Sequence, residues 1–266
     1  MTGEYLHGHH ESVLRSHRWR TAENSAAYLL PRLHPGQSLL DVGCGPGTIT
    51  ADLARLVAPG RVTALEQTED ALGLAREEIA RQGLSNVDFM VGDVHDLLDI
   101  PDDAYDVVHA HQVLQHVADP VRALHEMRRA CKPGGIVAVR DSDYGGFVWS
   151  PEIAELSEWM RLYQRLAREA GGEPNAGRWL LGLANEVGFT DVVASSSTWC
   201  FATADDRAWW GSVWAERVAA SSFADRAMAV GVHHDDLARI AEGWRKWAAS
   251  PSGWFSVLHG EIIATV

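Results

Sequence analysis

Three glycines occupy alternate positions in the segment Leu39–Thr50, which reads LLDVGCGPGTIT. They follow a short apolar run and precede a helix-like pattern, so the segment predicts a strand, a glycine turn and a helix. Glycine lets the backbone approach a ligand without a Cβ clash, and the first turn of a helix offers unpaired N–H groups. This combination favours the binding of a nucleotide or a nucleoside.

The spacing of the glycines distinguishes between the known kinds of nucleotide-binding loop. Gly43, Gly45 and Gly47 give G-x-G-x-G, whereas dinucleotide-binding folds use G-x-G-x-x-G, which would place the third glycine at Thr48. An NAD-dependent dehydrogenase is therefore an alternative that the early third glycine disfavours. No G-K-S/T sequence follows, which excludes a phosphate-binding P-loop.

Acidic residues further along the chain could complete such a site. Glu66 ends the next predicted strand and could accept both hydroxyls of a ribose; the alternative is a solvated strand-end acid. Asp93 follows Gly92 at the end of a third predicted strand. Its side chain and the N–H of Val94 could read the edge of an adenine, and the alternative is a simple loop cap.

The order of the predicted elements would bring these residues to one edge of a sheet. Strands are predicted at 38–42, 61–66, 87–91, 105–110, 136–140, 192–201 and 254–266, with a helical insert at about 203–250. Helices are predicted after the first, second and fourth of these strands. This alternation predicts an α/β fold with right-handed βαβ units and a parallel sheet covered on both faces.

Composition limits the classes of partner. The chain has 266 residues, a formal net charge of −13 and a pI of about 5.4, so its average field repels DNA or RNA. Its three cysteines lie far apart without a CxxC pair, which disfavours a disulfide framework or a cysteine zinc site. Neither a signal-peptide core nor an apolar run of roughly 20 residues is present. We expect a cytoplasmic protein with no nucleic-acid, membrane or metal partner.

Taken together, the motifs resemble class I S-adenosylmethionine-dependent methyltransferases, in particular the group that includes the quinone and small-molecule methyltransferases. The resemblance covers about residues 37–141 and depends on the glycine segment, Glu66, Gly92-Asp93, Tyr105-Asp106-Val107-Val108, Leu114-Gln115-His116-Val117 and Lys132-Pro133-Gly134-Gly135. It implies a Rossmann-like sheet of seven mostly parallel strands, with the last strand antiparallel. It also implies one domain, 1–266, with a helical N-terminal lid at 1–35, a cofactor-binding core at 37–141 and helical substrate-side elements at 142–188 and 203–250.

The same resemblance implies S-adenosylmethionine as the cofactor and assigns its contacts. Gly43, Gly45 and Gly47 would leave room for its adenosine and methionine parts. The other expected contacts are Asp41 near the methionine ammonium (directly or through water), Glu66 at the ribose, Gln67 beside the adenine, Gly92, Asp93 and Val94 at the adenine amino group and ring nitrogen, and the backbone around His111 at the amino-acid part.

The implied reaction is methyl transfer to an O, N or C atom of a small acceptor, which attacks the sulfonium methyl in line. Such an enzyme aligns the acceptor and excludes water, and it needs a general base only where the acceptor proton has a high pKa. The candidate catalytic residues are Tyr5, His9 and His10 in the N-terminal segment, His116 after the fourth strand and Asp141 after the fifth. Solvated histidines, a capping histidine and an acidic loop are the respective alternatives. A metal site at the N-terminal histidines lacks a supporting carboxylate or distant ligand.

Tryptophan is unusually frequent, with 11 in the chain and most of them after position 148. Neighbours on one helix face are Trp210 with Trp214, and Trp244 with Trp247. Most of these side chains are expected in the core, and the surplus, with Trp149, Trp159 and Trp179 as further candidates, predicts a flat apolar pocket. The expected partner is therefore a small, planar aromatic acceptor. The sequence leaves open whether the chain forms a homodimer. The alternatives are a cofactor-binding protein without transfer activity, such as a cyclase or regulator, and a nucleic-acid methyltransferase, which the missing N-P-P-Y/F motif disfavours.

Overall fold

One mixed sheet of eight strands organises residues 11–266, the part of the chain that this computed structural model describes. The strands are β1 (Leu39–Val42), β2 (Val62–Glu66), β3 (Val87–Val91), β4 (Tyr105–His111), β5 (Cys131–Ser142), β6 (Val148–Ser150), β7 (Asp191–Phe201) and β8 (Trp254–Thr265). Their order is β3-β2-β1-β4-β5-β8-β6, and β7 pairs with β8. Strands β1 to β5 pair in parallel, whereas β8 is antiparallel to β5, β6 and β7. The predicted Rossmann-like α/β fold and its antiparallel last strand are confirmed.

Ten α-helices surround the sheet within the described residues. They are α1 (Glu11–Arg18), α2 (Ala22–Ser25), α3 (Thr48–Val57), α4 (Glu69–Arg81), α5 (Pro120–Ala130), α6 (Ala154–Glu169), α7 (Ala176–Val187), α8 (Ala204–Ala220), α9 (Ser222–Ala229) and α10 (His234–Ala249). Short 3-10 turns cover Leu30–Arg32, Leu114–His116 and Tyr144–Gly146. No helix among residues 11–266 has both the length and the apolarity that crossing a membrane requires.

The structure has one strand more than the seven that the resemblance implied. The extra strand, β6, is three residues long and pairs with the start of β8. It exists because β8 has 12 residues but uses only His259–Thr265 against β5, which leaves its first residues free to pair with Val148–Ser150.

Local sequence signals explain where the helices next to the strand ends begin. Thr68 caps α4 by accepting a hydrogen bond from the N–H of Ala71. Asp119 caps α5 in the same way through the N–H of Arg122, and Pro120 at the first helical position is tolerated because that N–H has no helical partner. Both helices therefore start at defined points close to the carboxyl edge of the sheet.

Apolar side chains from the strands alternate between two cores on opposite faces of the sheet. One core packs the sheet against α2, α3 and α4, and the other against α5 and α7. A third, aromatic cluster joins α6, α8, α9 and α10 to Phe201, Phe255 and Val257. Since these three residues lie at the carboxyl end of β7 and the start of antiparallel β8, the aromatic cluster covers the carboxyl edge of the sheet. The predicted helical insert thus forms a cap on that edge.

Candidate active site

A cavity of about 290 Å³ opens at the carboxyl edge of the parallel strands. The loops after β1, β2, β4 and β5 form its floor, and α1 and α8 contribute to its walls. The predicted site residues that line it are Asp41, Gly43, Gly45, Glu66, Gln67, Gly92, Val94, His111 and His116. The side chains of Asp93 and Asp141 and residue Gly47 are not part of this lining, and Tyr5, His9 and His10 lie outside the described residues.

The glycine loop has a backbone that only glycine adopts easily. Gly43 has φ +67° and Gly45 has φ +54°, both in the left-handed region. A Cβ on Gly43 would lie 2.5 Å from Cγ2 of Val113, so the loop after β4 closes directly onto it. A Cβ on Gly45 would meet no atom within 4 Å, because it would project into the cavity. Gly43 therefore permits close packing, whereas Gly45 keeps ligand space open.

Glu66, the last residue of β2, holds the glycine loop through its side chain. Its Oε1 accepts a hydrogen bond of 2.9 Å from the N–H of Gly45. A carboxylate has about four lone-pair positions, so the same group can also accept hydroxyls of a ligand. The position of Glu66 at the end of β2 and its contact with the glycine loop fit a ribose-binding role.

Asp93 differs from the expected adenine contact. Its Oδ1 accepts the backbone N–H of His95 at 3.0 Å and lies 2.7 Å from Nδ1 of the same residue. Burial alone would raise the pKa of Asp93, but these hydrogen bonds from His95 lower it overall. The carboxylate therefore caps the loop, as the alternative stated, while its neighbours Gly92 and Val94 line the cavity.

Asp41 is buried at the end of β1 with both oxygens engaged. Its Oδ2 accepts the Thr50 hydroxyl at 2.6 Å, and its Oδ1 lies 2.8 Å from Nδ1 of His109. Neither Thr50 nor His109 was predicted, since a polar residue inside a strand or helix gives no local signal of its partner. These two contacts fix the orientation of the Asp41 carboxylate toward the cavity.

Two histidines, His111 at the end of β4 and His116 in the 3-10 turn that follows, face the cavity and are uncharged at neutral pH. Burial lowers the pKa of His111 well below its ordinary value, and the charges of Arg140 and Arg20 add to this effect. Burial, with the charge of Arg20, lowers the pKa of His116 to about 3. Nε2 of His116 lies 2.9 Å from Nε2 of Gln115. Both rings can therefore exchange hydrogen bonds with a ligand but hold an added proton poorly.

Asp141 was predicted as a catalytic acid at the pocket rim, and the structure places it beneath the rim. Its side chain is fully buried, and Oδ1 accepts the backbone N–H of Gln115 at 3.1 Å. Burial raises the pKa of this carboxyl to about 7. Since strand β5 runs to Ser142, one residue past Asp141, the carboxyl turns toward the 3-10 turn Leu114–His116. It supports the segment that carries His116 and does not face the ligand space.

The second half of the cavity is aromatic. Its walls include Trp19, Tyr144, Phe147, Trp199, Trp210 and Trp214. Trp210 and Trp214 were predicted from their helical spacing, whereas Trp19 and Trp199 were not. The other suggested liners are elsewhere: Trp159 is fully buried in the aromatic cluster, Trp149 packs against Phe255, and Trp179 is 55% exposed.

Charged side chains border this aromatic half. The guanidinium of Arg20 lies 5.5 Å from the ring centre of Trp199 and donates to Oε1 of Gln112 at 2.7 Å. The guanidinium of Arg217 lies 4.5 Å from the ring centre of Trp214 and donates to Oγ of Ser16 in α1 at 2.9 Å. These contacts tie the N-terminal helix to the cavity wall. Sequence reasoning did not identify Arg217, because its partner lies about 200 residues away.

The cavity thus joins two chemically different halves. One offers glycine backbone and two carboxylates, a setting that suits the ribose and amino group of a nucleoside-type ligand; the other offers flat apolar walls that suit a planar molecule. Among residues 11–266, no group of three or more His, Cys, Asp or Glu could hold a metal ion.

Comparisons with known proteins give the family context of this site. Residues 33–200 match a family model described as a methyltransferase domain. The chain is 32% identical over 268 residues to an uncharacterized methyltransferase of Schizosaccharomyces pombe, covering 97% of this chain and 95% of that one. It is 28% identical over 281 residues to a probable methyltransferase of Aspergillus luteorubrus, covering 99% and 97%. A solved (4+2)-cyclase is similar with a TM-score of 0.55 and 25% identity, covering 93% of this chain and 79% of that one.

Proposed function

The chain belongs to the class I S-adenosylmethionine-dependent methyltransferases, and we propose that it transfers a methyl group from S-adenosylmethionine to a small, planar aromatic acceptor. The observation that carries this proposal is one cavity whose first half is lined by the glycine loop, Asp41 and Glu66 and whose second half is walled by aromatic side chains. The finer part of the proposal, the acceptor class, depends on that aromatic half.

The cofactor half supplies binding groups at suitable places. Glu66 is the proposed partner of the ribose hydroxyls, and Gln67, Gly92 and Val94 line the part of the cavity proposed for the adenine. Asp41, oriented by Thr50 and His109, is the proposed partner of the amino-acid end. The open space beside Gly45 allows a ligand to lie against the peptide itself.

S-adenosylmethionine, when bound, supplies a methyl group already activated by its sulfonium. The protein is then left to align the acceptor and to exclude water, contributions that can be worth roughly 7–11 kcal/mol. Trp199, Trp210 and Trp214 would hold a flat ring and keep the second half dry. Because their pKa values are lowered, His111 and His116 are proposed to bind and orient the acceptor and not to store a proton taken from it.

A small acceptor agrees with the charge and the site. The net charge of −13 disfavours a nucleic-acid acceptor, and the cavity volume of about 290 Å³ suits a metabolite. We propose that the acceptor is a small molecule and that neither nucleic acid nor membrane takes part.

The test is transfer of radiolabelled methyl groups from S-adenosylmethionine to a panel of planar phenols, aromatic amines and hydroxynaphthalenes, with an acceptor-free reaction as control. We expect label in at least one acceptor and a product heavier by one methylene unit in mass spectrometry. Calorimetry with S-adenosylhomocysteine is run in parallel. Failure to bind S-adenosylhomocysteine would overturn the cofactor assignment.

The similarity to a (4+2)-cyclase at 25% identity favours one second candidate. In that case the protein would bind the cofactor without consuming it and would use the aromatic half to fold a flexible substrate for ring closure. Binding of S-adenosylhomocysteine with no labelled product from any acceptor would support this candidate against methyl transfer.

A further inference from the structure

The side chain of His111 is buried in the cavity wall without a hydrogen-bond partner among residues 11–266. It is the last residue of β4, is 6% exposed, and both of its ring nitrogens are unbonded. Its ring centre lies 5.8 Å from that of Trp199 and 6.1 Å from that of His259. Buried polar groups in folded proteins almost always have a partner, so two unbonded nitrogens facing a cavity call for a ligand.

Neighbouring histidines show that this feature belongs to His111 in particular. His259 is also buried, but its Nδ1 lies 3.0 Å from the guanidinium of Arg140 and its Nε2 lies 2.9 Å from the side-chain amide of Gln112. His109 uses Nδ1 against Asp41. Nε2 of His109 is also unbonded, but of these three histidines His111 is the one with neither ring nitrogen bonded and the one that lines the cavity, so both of its nitrogens are left for an incoming group.

The residues that follow place His111 between the two halves of the cavity. Gln112 has φ +55°, which is uncommon for a residue other than glycine and is typical of backbone held in place by its surroundings. Its side chain bonds to Arg20, Ser142 and His259, and the first two of these line the cavity. Val113 then packs against Gly43 in the cofactor half. His111 therefore has the glycine loop on one side and Trp199 on the other.

The geometry points to a recognition site for a ring hydroxyl: the imidazole of His111, with the amide of Gln112 and the hydroxyl of Ser142 beside it, forms the polar end of the aromatic compartment and selects planar acceptors that carry a hydroxyl group. This inference rests on the proposed function and deepens it by naming the acceptor class. His111 would touch the acceptor itself, through its side chain, in addition to any backbone contact with the cofactor.

The charge state of His111 fits a hydroxyl. Arg140 from β5, Arg20 from the segment after α1, His259 from β8 and His109 from β4 all face it, and burial among them lowers its pKa well below the ordinary value. The ring is therefore neutral at pH 7, with one nitrogen that accepts and one that donates. A hydroxyl can both donate and accept, whereas the corresponding methyl ether can only accept.

The experiment compares 1-naphthol with its methyl ether, 1-methoxynaphthalene, by calorimetry on the full chain saturated with S-adenosylhomocysteine. Wild-type protein is expected to bind the naphthol roughly 3- to 10-fold more tightly than the ether, the range of one neutral hydrogen bond. His111→Leu should reduce this preference to less than about 2-fold, and His111→Gln, which keeps a donor and an acceptor, should retain part of it. His125→Leu, at an exposed position of α5, is the matched control and should keep the wild-type preference.

Two results would overturn the inference. One is an unchanged preference for the naphthol in His111→Leu. The other is a wild-type protein that binds S-adenosylhomocysteine but either binds the naphthol and its ether equally or binds neither of those two. Failure of the proposed function has a different signature, since S-adenosylhomocysteine itself would then not bind. If His111→Leu does not fold, as judged by its thermal unfolding, the comparison of wild type with His111→Gln decides: a reduced preference for the naphthol supports the inference, and a preference equal to that of wild type overturns it.

Discussion

Gly45 and Gly83 share a left-handed backbone but differ in what lies beside them. Their φ values are +54° and +67°, and a Cβ on either would meet no atom within 4 Å. Gly83 is exposed after α4, whereas Gly45 lines the cavity. Valine at either position should cost about 1–3 kcal/mol of stability through backbone strain. Only Gly45→Val should lose binding of S-adenosylhomocysteine, as calorimetry on both variants would show; intact binding in Gly45→Val would mean that the ligand does not lie against the loop.

Glu66 is predicted to contribute binding energy through charged hydrogen bonds to a ribose. Replacing it with alanine should weaken S-adenosylhomocysteine binding roughly 10- to 100-fold, because such bonds are worth about 1.5–3 kcal/mol each. The fold should change little, since the carboxylate contributes one bond to the loop at Gly45. Glu69→Ala is the control, because its side chain is 67% exposed at the start of α4. Equal affinities of the two variants would remove Glu66 from the site.

Asp141 makes the stability of the protein depend on pH. Its pKa in the folded protein is raised to about 7, above the value of about 3.9 in an unfolded chain, so the folded state binds the extra proton. The stabilisation it gives is complete below pH 4 and falls as the pH rises through 7. Asp141→Asn keeps an acceptor for the N–H of Gln115 but cannot ionise. In urea unfolding, the stability of the variant relative to wild type should therefore increase by about 1.4 kcal/mol for each pH unit between pH 5 and pH 7 and level off by pH 8. A constant difference would mean that the carboxyl is not perturbed.

At the scale of elements, α1 is held against α8 by buried hydrogen bonds of Arg217 and by an exposed ion pair. Arg217, 4% exposed, donates to Ser16, whereas the pair of Arg15 and Glu216 is partly open to solvent. A buried charged hydrogen bond contributes far more than an exposed ion pair. Arg217→Ala should therefore speed amide hydrogen exchange in residues 12–18 about 10-fold, and Arg15→Ala less than about 2-fold. Equal effects of both substitutions would show that α1 is held by its apolar face alone.

Strand β8 is the element that connects the sheet to the cap. Residues His259–Thr265 pair with β5, residues 255–265 pair with β7, and the first residues of the strand enter the aromatic cluster. Through this single strand His259 reaches Gln112 and Arg140, and Glu261 reaches Arg140 at 3.1 Å. The polar end of the acceptor compartment thus depends on the register of β8 against β5.

At the scale of the whole molecule, this connection predicts that sheet and cap unfold together. Phe255 is fully buried and lies 5.4–5.7 Å, ring centre to ring centre, from Trp149, Trp244 and Trp247. Phe255→Ala should cost about 3–5 kcal/mol. Guanidinium unfolding followed by tryptophan fluorescence and by far-UV circular dichroism should shift by the same amount. Trp254→Ala, at a residue 37% exposed, should cost well under half as much. A shift confined to fluorescence would indicate that the cap unfolds by itself.

Local patterns were sufficient for the elements and for part of the site. The apolar runs predicted β1 to β4 closely, and the glycines after the first of these runs predicted the corner where Gly43, Gly45 and Glu66 meet. The prediction for Asp141 was wrong about its direction, because a strand that extends one residue further turns the side chain away from the rim. Asp93 differed for a similar reason, since His95 two residues later binds its carboxylate.

Sequence by itself determined which segments become strands, turns and helices, because those depend on the periodicity of neighbouring residues and on glycine at positive φ. It also determined that a nucleoside-binding corner follows β1. Only the tertiary structure decided that Gln112, Arg140 and His259 surround His111, and that Trp19 and Trp199 face the same space as Trp210. The contact between Gln112 and His259 alone joins residues 147 positions apart. The register of the strands and the burial of the side chains determine these contacts, and they thereby determine the charge of His111. Neither register nor burial can be predicted from a short segment of the sequence.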